Sequence, residues 1–193
     1  MEESPSFAEP YLSNLAVELR KLKSLADRAV AQVRDDDLFA ALDPESNSLA
    51  ILLQHLSGSL RSRFTDFLTT DGEKPDRHRD GEFEVAPGTA RGDVLARWEE
   101  GWRRLLETVD GLGAADLGRT VTIRGEPHIV LQALQRALGH CAYHTGQIVL
   151  LAKHARSSNW QTLTVPRGKS EELNRKMAAR AEPGRRETAS KPS

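Results

Sequence analysis

Apolar residues recur at alternating intervals of three and four along four long stretches of the chain. This spacing puts them on one side of an α-helix and is typical of helices that pack together in a bundle. The pattern predicts helices over residues 9–33, 48–70, 93–112 and 129–155. We therefore expect an all-α fold, a four-helix bundle.

The segments between these stretches lack the helical pattern. Residues 71–93 are polar with two Pro and four Gly, and a connection this long lets the second and third helices run parallel. Residues 35–46 are predicted to be a loop, after which Ser46 or Asn47 caps the second helix. Residues 119–130 are β-rich around a Gly-Glu pair and predict a small hairpin before the fourth helix.

Length and composition favour a single folded domain with an irregular end. The chain has 193 residues, of which 38% are hydrophobic and 28% charged, and this suffices for a sizeable core. We expect residues 1–176 to form the bundle with an ordered C-terminal extension. Residues 177–193 are polar and are predicted to be disordered.

Charge and cysteine content narrow the functional classes. The net charge of −1 argues against a nucleic-acid or membrane partner, although the chain from Arg167 onward is basic and hints at a contact surface. Cys141 is the single cysteine, which excludes an intramolecular disulfide and a cysteine-rich zinc module. Since we see neither a signal peptide nor an apolar run of about 18 residues, we expect a cytoplasmic protein.

Three histidines carry the strongest chemical signal. His140 and His144 are four residues apart on the fourth helix, so they share a face and can bind one metal ion. His55, flanked by Leu52 and Leu56 on the second helix, can supply a third ligand from a neighbouring helix. The predicted metal ligands are therefore His55, His140 and His144. The alternative is that these are histidines of the core boundary.

The remaining histidines and the cysteine have plainer interpretations. His78, in the long connection, is expected to face solvent. It is interpreted as a structural or surface residue, as are His128 and His154 near the two ends of the fourth helix. Cys141 lies about 100° around the helix from His140. We expect it to pack in the core, with a redox or ligand role as the alternative.

Several polar residues near the histidines have two interpretations. Gln147 can hydrogen-bond a metal-bound water or a bound ligand, or it can support the site indirectly or lie at the core boundary. Ser59 and Ser62 are interpreted as small polar residues at that boundary. Arg63 can bind an anionic substrate, but a solvated arginine is the favoured interpretation. No catalytic acid or base is identifiable, and nucleotide-binding, zincin and serine-hydrolase motifs do not occur in the sequence.

The arrangement of these motifs is similar to the DinB/YfiT-like superfamily of bacterial metal-binding four-helix bundles. The likeness rests on a His in the second helix, a His-x-x-x-His in the fourth and the long second connection. The stretches NSLAILLQHLSGSLRSRFTDFLTTDGEKPDRHRD, LGHCAYHTGQIVLLAKH and WQTLTVPRGKS resemble one narrower branch. The resemblance implies an up-down-down-up bundle, zinc or nickel on the same three histidines, and a homodimer.

What the resemblance implies for activity is less specific. Some members are thiol transferases or isomerases that use a low-molecular-weight thiol, whose pKa the metal lowers. Others look hydrolytic, with an activated water. We therefore expect a divalent-metal-dependent enzyme, thiol transferase-like or hydrolase-like, acting on a small-molecule substrate. The alternatives are a non-catalytic metal-binding, stress-related protein and a dimeric interaction protein.

Overall fold

The computed structural model describes residues 7–181, and they are mostly helical. The α-helices among them are α1 (Ala8–Val30), α2 (Asp35–Phe39), α3 (Leu49–Phe64), α4 (Arg91–Gly111), α5 (Val130–Arg156) and α6 (Ser170–Ala181). The long helices α1, α3, α4 and α5 correspond to the four periodic stretches of the sequence. The prediction of a helical protein is confirmed.

The four long helices share one core. α3 packs against α4 and α5, and α1 packs against the same two helices. Leu19, Leu53 and Leu105 are buried where these helices meet, and such burial contributes about 1.5–3 kcal/mol for each side chain. α3 and α4 approach closely at Gly101, because a Cβ atom there would lie 2.8 Å from the backbone of Ser57.

Helix α3 begins and ends at other residues than the sequence pattern predicts. Ser48, rather than Ser46 or Asn47, caps it by accepting a hydrogen bond from the Ile51 amide at 3.3 Å. The helix ends at Phe64 instead of continuing to Thr70. Asp66 has a φ of 48°, a left-handed conformation that an α-helix does not contain. Apolar spacing therefore continues past the end of the helix.

Residues 35–46, predicted as a loop, contain the short helix α2. Its first turn holds Asp35, Asp36 and Asp37, and negative charge at a helix N-terminus is favourable. Leu38 is fully buried and packs this turn onto the core. The two apolar residues of α2, Leu38 and Phe39, are adjacent, and this is too little periodic signal to predict a helix.

The predicted hairpin is present. Strands β1 (Thr120–Ile123) and β2 (Glu126–Ile129) pair antiparallel, with Thr120 opposite Ile129. Arg124 and Gly125 form the turn, and both have positive φ, at 58° and 75°, as a two-residue hairpin turn requires. The Asp71 carboxylate accepts hydrogen bonds from both of their amides at 2.8 Å.

The connection between α3 and α4 is irregular apart from a short 3-10 turn, Asp80–Phe83. The Gln54 side chain of α3 donates hydrogen bonds to the carbonyl oxygens of Gly81, Glu82 and Glu84 at 2.9–3.1 Å. These bonds hold the loop against α3 without any regular structure. The crossover thereby brings Glu82 beside His55.

The chain divides into two compact units between Asn159 and Trp160. The first contains the helices from α1 to α5 and the hairpin; the second contains α6. The tail predicted to be disordered begins at residue 177, whereas α6 continues to Ala181; residues 182–193 of that tail lie outside the described residues. Within residues 7–181, no helix is long and apolar enough to span a membrane.

Candidate metal centre

The three histidines predicted as metal ligands meet in the structure. His55 lies on α3, and His140 and His144 lie one turn apart on α5. One ring nitrogen from each lies within 4.8 Å of the other two, and the Nε2 atoms of His140 and His144 are 3.0 Å apart. His55 and His144 are only 7% and 8% exposed, so the cluster is largely shielded from solvent.

The hydrogen bonds of two rings determine which nitrogen carries the proton. His55 Nδ1 lies 2.9 Å from Glu82 Oε2, and an ionised carboxylate only accepts hydrogen bonds, so Nδ1 is the donor. His144 Nδ1 lies 2.7 Å from the amide oxygen of Gln147 and donates for the same reason. In both rings Nδ1 is thus occupied by an acceptor, and Nε2 is the nitrogen that remains for a metal.

Burial keeps the imidazoles neutral. It lowers the pKa of His140 to about 3, with the positive charges of neighbouring groups adding to the effect. Burial also lowers the pKa of His144, against the opposing effect of its bond to Gln147. The Nε2 atoms of His140 and His144, 3.0 Å apart, are within hydrogen-bonding distance, and a divalent ion that takes the place of the proton between them would bind both rings. The donor set fits a divalent ion.

A buried ion pair supports the His55 side of the cluster. Arg77 donates from Nε to Glu82 Oε1 at 2.8 Å and from Nη2 to Oε2 at 2.9 Å. It also donates to Glu73 at 3.1 Å. Burial by itself raises the pKa of the Glu82 carboxyl, but the hydrogen bonds from His55 and Arg77 bring it below its usual value. Glu82 is therefore an anion that fixes the orientation of the His55 ring.

A glycine makes room for this carboxylate. A Cβ atom at Gly58, one turn after Gln54 on α3, would overlap Glu82 Oε1. The side chain of Glu82 is held by both His55 and Arg77, so it cannot simply swing away. Gly58 is thus part of the support of the site, although it offers no functional group.

Next to His140, on the other side of the cluster, lies a small cavity of about 150 Å³ between α3, β1 and α5. Arg63 and Arg136 line it together with Ser59, Ile123 and His140. The prediction that Arg63 is a solvated side chain is wrong, because it is half-buried and its Nε is shielded from solvent.

The other residues singled out in the sequence contribute to packing. Cys141 is fully buried, and burial raises the pKa of its thiol to about 12, which agrees with the predicted core role. Ser62 is buried, donates to the Gly72 carbonyl oxygen at 2.9 Å and accepts from the Lys74 amide at 3.0 Å. It thereby ties the crossover to α3.

The three remaining histidines lie elsewhere. His78 and His154 are exposed, as predicted. His128 is half-buried and lies 3.1 Å from an Arg136 nitrogen. Gln147 accepts a hydrogen bond from His144, a candidate metal ligand. It therefore supports the site indirectly, which is one of the interpretations of that residue.

Sequence reasoning missed the support of the site. Glu82 and Arg77 lie in the irregular crossover, where no periodicity relates them to His55. Gly58 lies on the side of α3 opposite its apolar stripe, facing the crossover, and no motif surrounds it. The available signal was the length of the crossover, since long loops inside compact domains usually have a function.

Comparison with known proteins gives a family without an assigned activity. The family model described as "Protein of unknown function (DUF1572)" matches residues 6–169. No curated protein matches the sequence. The matched range contains the His cluster, the crossover and the hairpin.

Proposed function

Because the chain belongs to the DUF1572 family, whose description names no activity, we propose a function from the geometry: a divalent-metal-dependent protein that holds its ion on His55, His140 and His144. The observation that carries the proposal is the convergence of three imidazoles whose ring nitrogens lie within 4.8 Å of one another. Two of them have Nδ1 fixed by an acceptor, which leaves Nε2 available. Three histidine ligands with an open position are typical of catalytic zinc sites.

The residues around the cluster have distinct roles in this proposal. When bound, the ion would supply Lewis-acid chemistry, which lowers the pKa of a thiol or water that it contacts. Glu82 accepts the Nδ1 proton of His55, which makes that ring a better ligand. Arg77 keeps Glu82 ionised. The reaction proposed is thiol transfer or hydrolysis on a small molecule.

We also propose the finer features that the resemblance implies. Two observations support a DinB/YfiT-like bundle of up-down-down-up topology: each of the four long helices packs against two others, and the crossover joins α3 to α4. Imidazole ligands suit both zinc and nickel. We propose that the protein forms a homodimer, which light scattering tests.

A structural role for the ion is the second candidate. The ligands come from α3 and α5, so an ion would link two core helices and stabilise the folded state. In that case chelation lowers the melting temperature, and the metal-loaded protein turns over neither thiol nor ester substrates. Parallel thiol-transfer and hydrolase screens decide between the two roles.

The first test is the metal content of the purified protein by elemental mass spectrometry. We expect about one equivalent in the wild type and almost none in a His140→Ala, His144→Ala double variant. His154→Ala, which removes an exposed histidine of the same helix, is the matched control and keeps its metal. A wild type that stays metal-free after reconstitution with zinc or nickel contradicts the proposal.

A further inference from the structure

Arg63 is a half-buried cation for which residues 7–181 supply no hydrogen-bond or ion-pair partner. It lies on α3, eight residues after His55. Its Nε is shielded from solvent and makes no hydrogen bond, and within the described part of the chain no ion pair involves its guanidinium. Buried charges are normally paired, because removing a charge from water is unfavourable. An unpaired one at the edge of a candidate active site requires an explanation.

The space that Arg63 faces is a cavity lined by cationic and apolar groups. It measures about 150 Å³, and its charged lining residues are Arg63 and Arg136. No acidic side chain among residues 7–181 lines it. Whole-ligand pockets have volumes of about 300–1,000 Å³, so this cavity has room for a small group of a larger molecule. His140, a candidate metal ligand, forms one wall.

The charges around Arg63 leave its cation uncompensated. Burial lowers its pKa, and the positive charge of Arg77 lowers it further. Glu73 acts in the opposite direction, but its carboxylate already accepts hydrogen bonds from Arg77 at 3.1 Å and Arg124 at 3.3 Å. Residues 7–181 thus offer Arg63 no carboxylate that is not already paired.

We propose that this cavity is an anion subsite, which binds a carboxylate or phosphate group of the substrate and places the rest of the molecule at the metal. The planar guanidinium of Arg63 donates to two oxygens at once, a geometry that matches both groups. Arg136, the second cation of the lining, is exposed. The inference rests on the proposed function in one respect, because only that function makes the bound anion part of a substrate. Anion binding itself needs no metal.

The test is a titration of the full chain, as purified and after removal of metal by a chelator, with sodium phosphate and with sodium acetate. Sodium chloride at equal ionic strength gives the baseline. We expect saturating anion to raise the melting temperature by about 2 °C or more in both preparations. A response to phosphate alone identifies a phosphate subsite, and a response to acetate a carboxylate subsite; no response to either overturns the proposal.

Two variants of α3 make the test specific. Arg63→Gln should abolish the response. Arg61→Gln, which removes an exposed arginine paired with Asp76 at 2.9 Å, should retain it. Arg63→Lys keeps the charge but cannot donate to two oxygens in the same plane, and the dissociation constant of this variant for the anion should rise about ten-fold. An Arg63→Gln protein that responds like the wild type overturns the proposal.

The melting temperature without anion separates a binding role from a structural one. Removing an uncompensated charge should leave the melting temperature of Arg63→Gln unchanged or higher than that of the wild type. A lower value together with an unchanged anion response means that Arg63 is structural. If the wild type binds metal but shows no anion response, the subsite proposal is overturned and the metal centre is not. If the chain binds no metal but responds to the anion, the proposed metal centre is overturned and the subsite is not.

Discussion

Arg77 and Arg63 both lie beside the histidine cluster, and their surroundings differ completely. The Arg77 side chain is 3% exposed and donates to the carboxylates of Glu82 and Glu73. Arg63 is half-buried and has no such acceptor among residues 7–181. All three guanidinium nitrogens of Arg77 donate to carboxylates of the protein. Among the described residues, the Arg63 guanidinium has no carboxylate partner, so its donors are available to a bound molecule.

This difference separates two tasks of a binding site. On the His55 side, complete pairing of Arg77, Glu82 and His55 fixes the orientation of a candidate ligand. On the His140 side, the missing partner leaves a cation available to a bound molecule. Paired charges hold geometry, whereas an unpaired charge lowers stability and is retained where binding needs it.

The sharpest test of the comparison is to remove each arginine in turn. Arg77→Gln leaves the Glu82 carboxylate buried without its main partner, and we expect it to lower the free energy of unfolding by about 3–5 kcal/mol. Arg63→Gln should cause no loss. Urea denaturation of both variants and the wild type measures this, and equal losses would contradict the distinction between the two sides.

A larger side chain at Gly58 should disturb the paired side alone. The added methyl group of Gly58→Ala overlaps Glu82, so we expect a loss of about 1–3 kcal/mol in unfolding free energy. Gly146→Ala on α5, where a Cβ atom meets nothing within 4 Å, is the control and should stabilise by about 0.5–1 kcal/mol. Thermal and urea unfolding give both values; a neutral Gly58→Ala would show that Glu82 moves freely.

Neutralising the carboxylate that orients His55 should weaken metal binding. We expect Glu82→Gln to lower metal affinity about 10- to 100-fold, since partners of ligating histidines have effects of this size. Glu84→Gln changes an exposed side chain two residues away and should bind metal like the wild type. Competition with a chromogenic chelator measures the affinities, and identical affinities in both variants would remove Glu82 from the site.

The smallest effect concerns Asp71, which anchors the hairpin that contributes Ile123 to the cavity. Hydrogen bonds from the backbone amides of Glu73, Gly125 and Arg124 lower the pKa of its carboxyl to about 2. Its unfolded value is about 3.9, so the stabilisation is complete above that pH and disappears as the pH falls toward 2. Asp71→Asn should therefore be less stable than the wild type at neutral pH, and the gap should close in acid. Urea unfolding across this range measures the gap, and a constant difference would contradict the assignment.

The parts of the molecule that follow from the sequence are those governed by regular spacing. Heptad-like apolar positions predicted the four long helices. The i, i+4 spacing of His140 and His144, and the apolar neighbours of His55, predicted the cluster. Helical geometry converts sequence spacing into a shared face, so local information was sufficient there.

The rest depends on contacts between distant segments. Glu82 reaches His55 because the Gln54 side chain holds the crossover in place, and no short-range pattern encodes that path. Arg63 was predicted to be in solvent, but it lines a cavity together with Ile123 of β1, and the place of the hairpin against α3 could not be located from sequence. The end of α3 is a local feature instead: Thr65 is extended and Asp66 is left-handed, and apolar spacing indicates neither.

The charges that line the Arg63 cavity also bear on how quickly a ligand arrives. Its charged walls are cationic, and Arg77 is neutralised by its own partners. A divalent ion on the histidines would add to this positive field at a recessed surface. Such fields concentrate anions near the entrance and raise association rates, an effect that added salt screens over about 8–10 Å. We expect the capture of an anionic ligand to slow as ionic strength rises, while its dissociation changes far less.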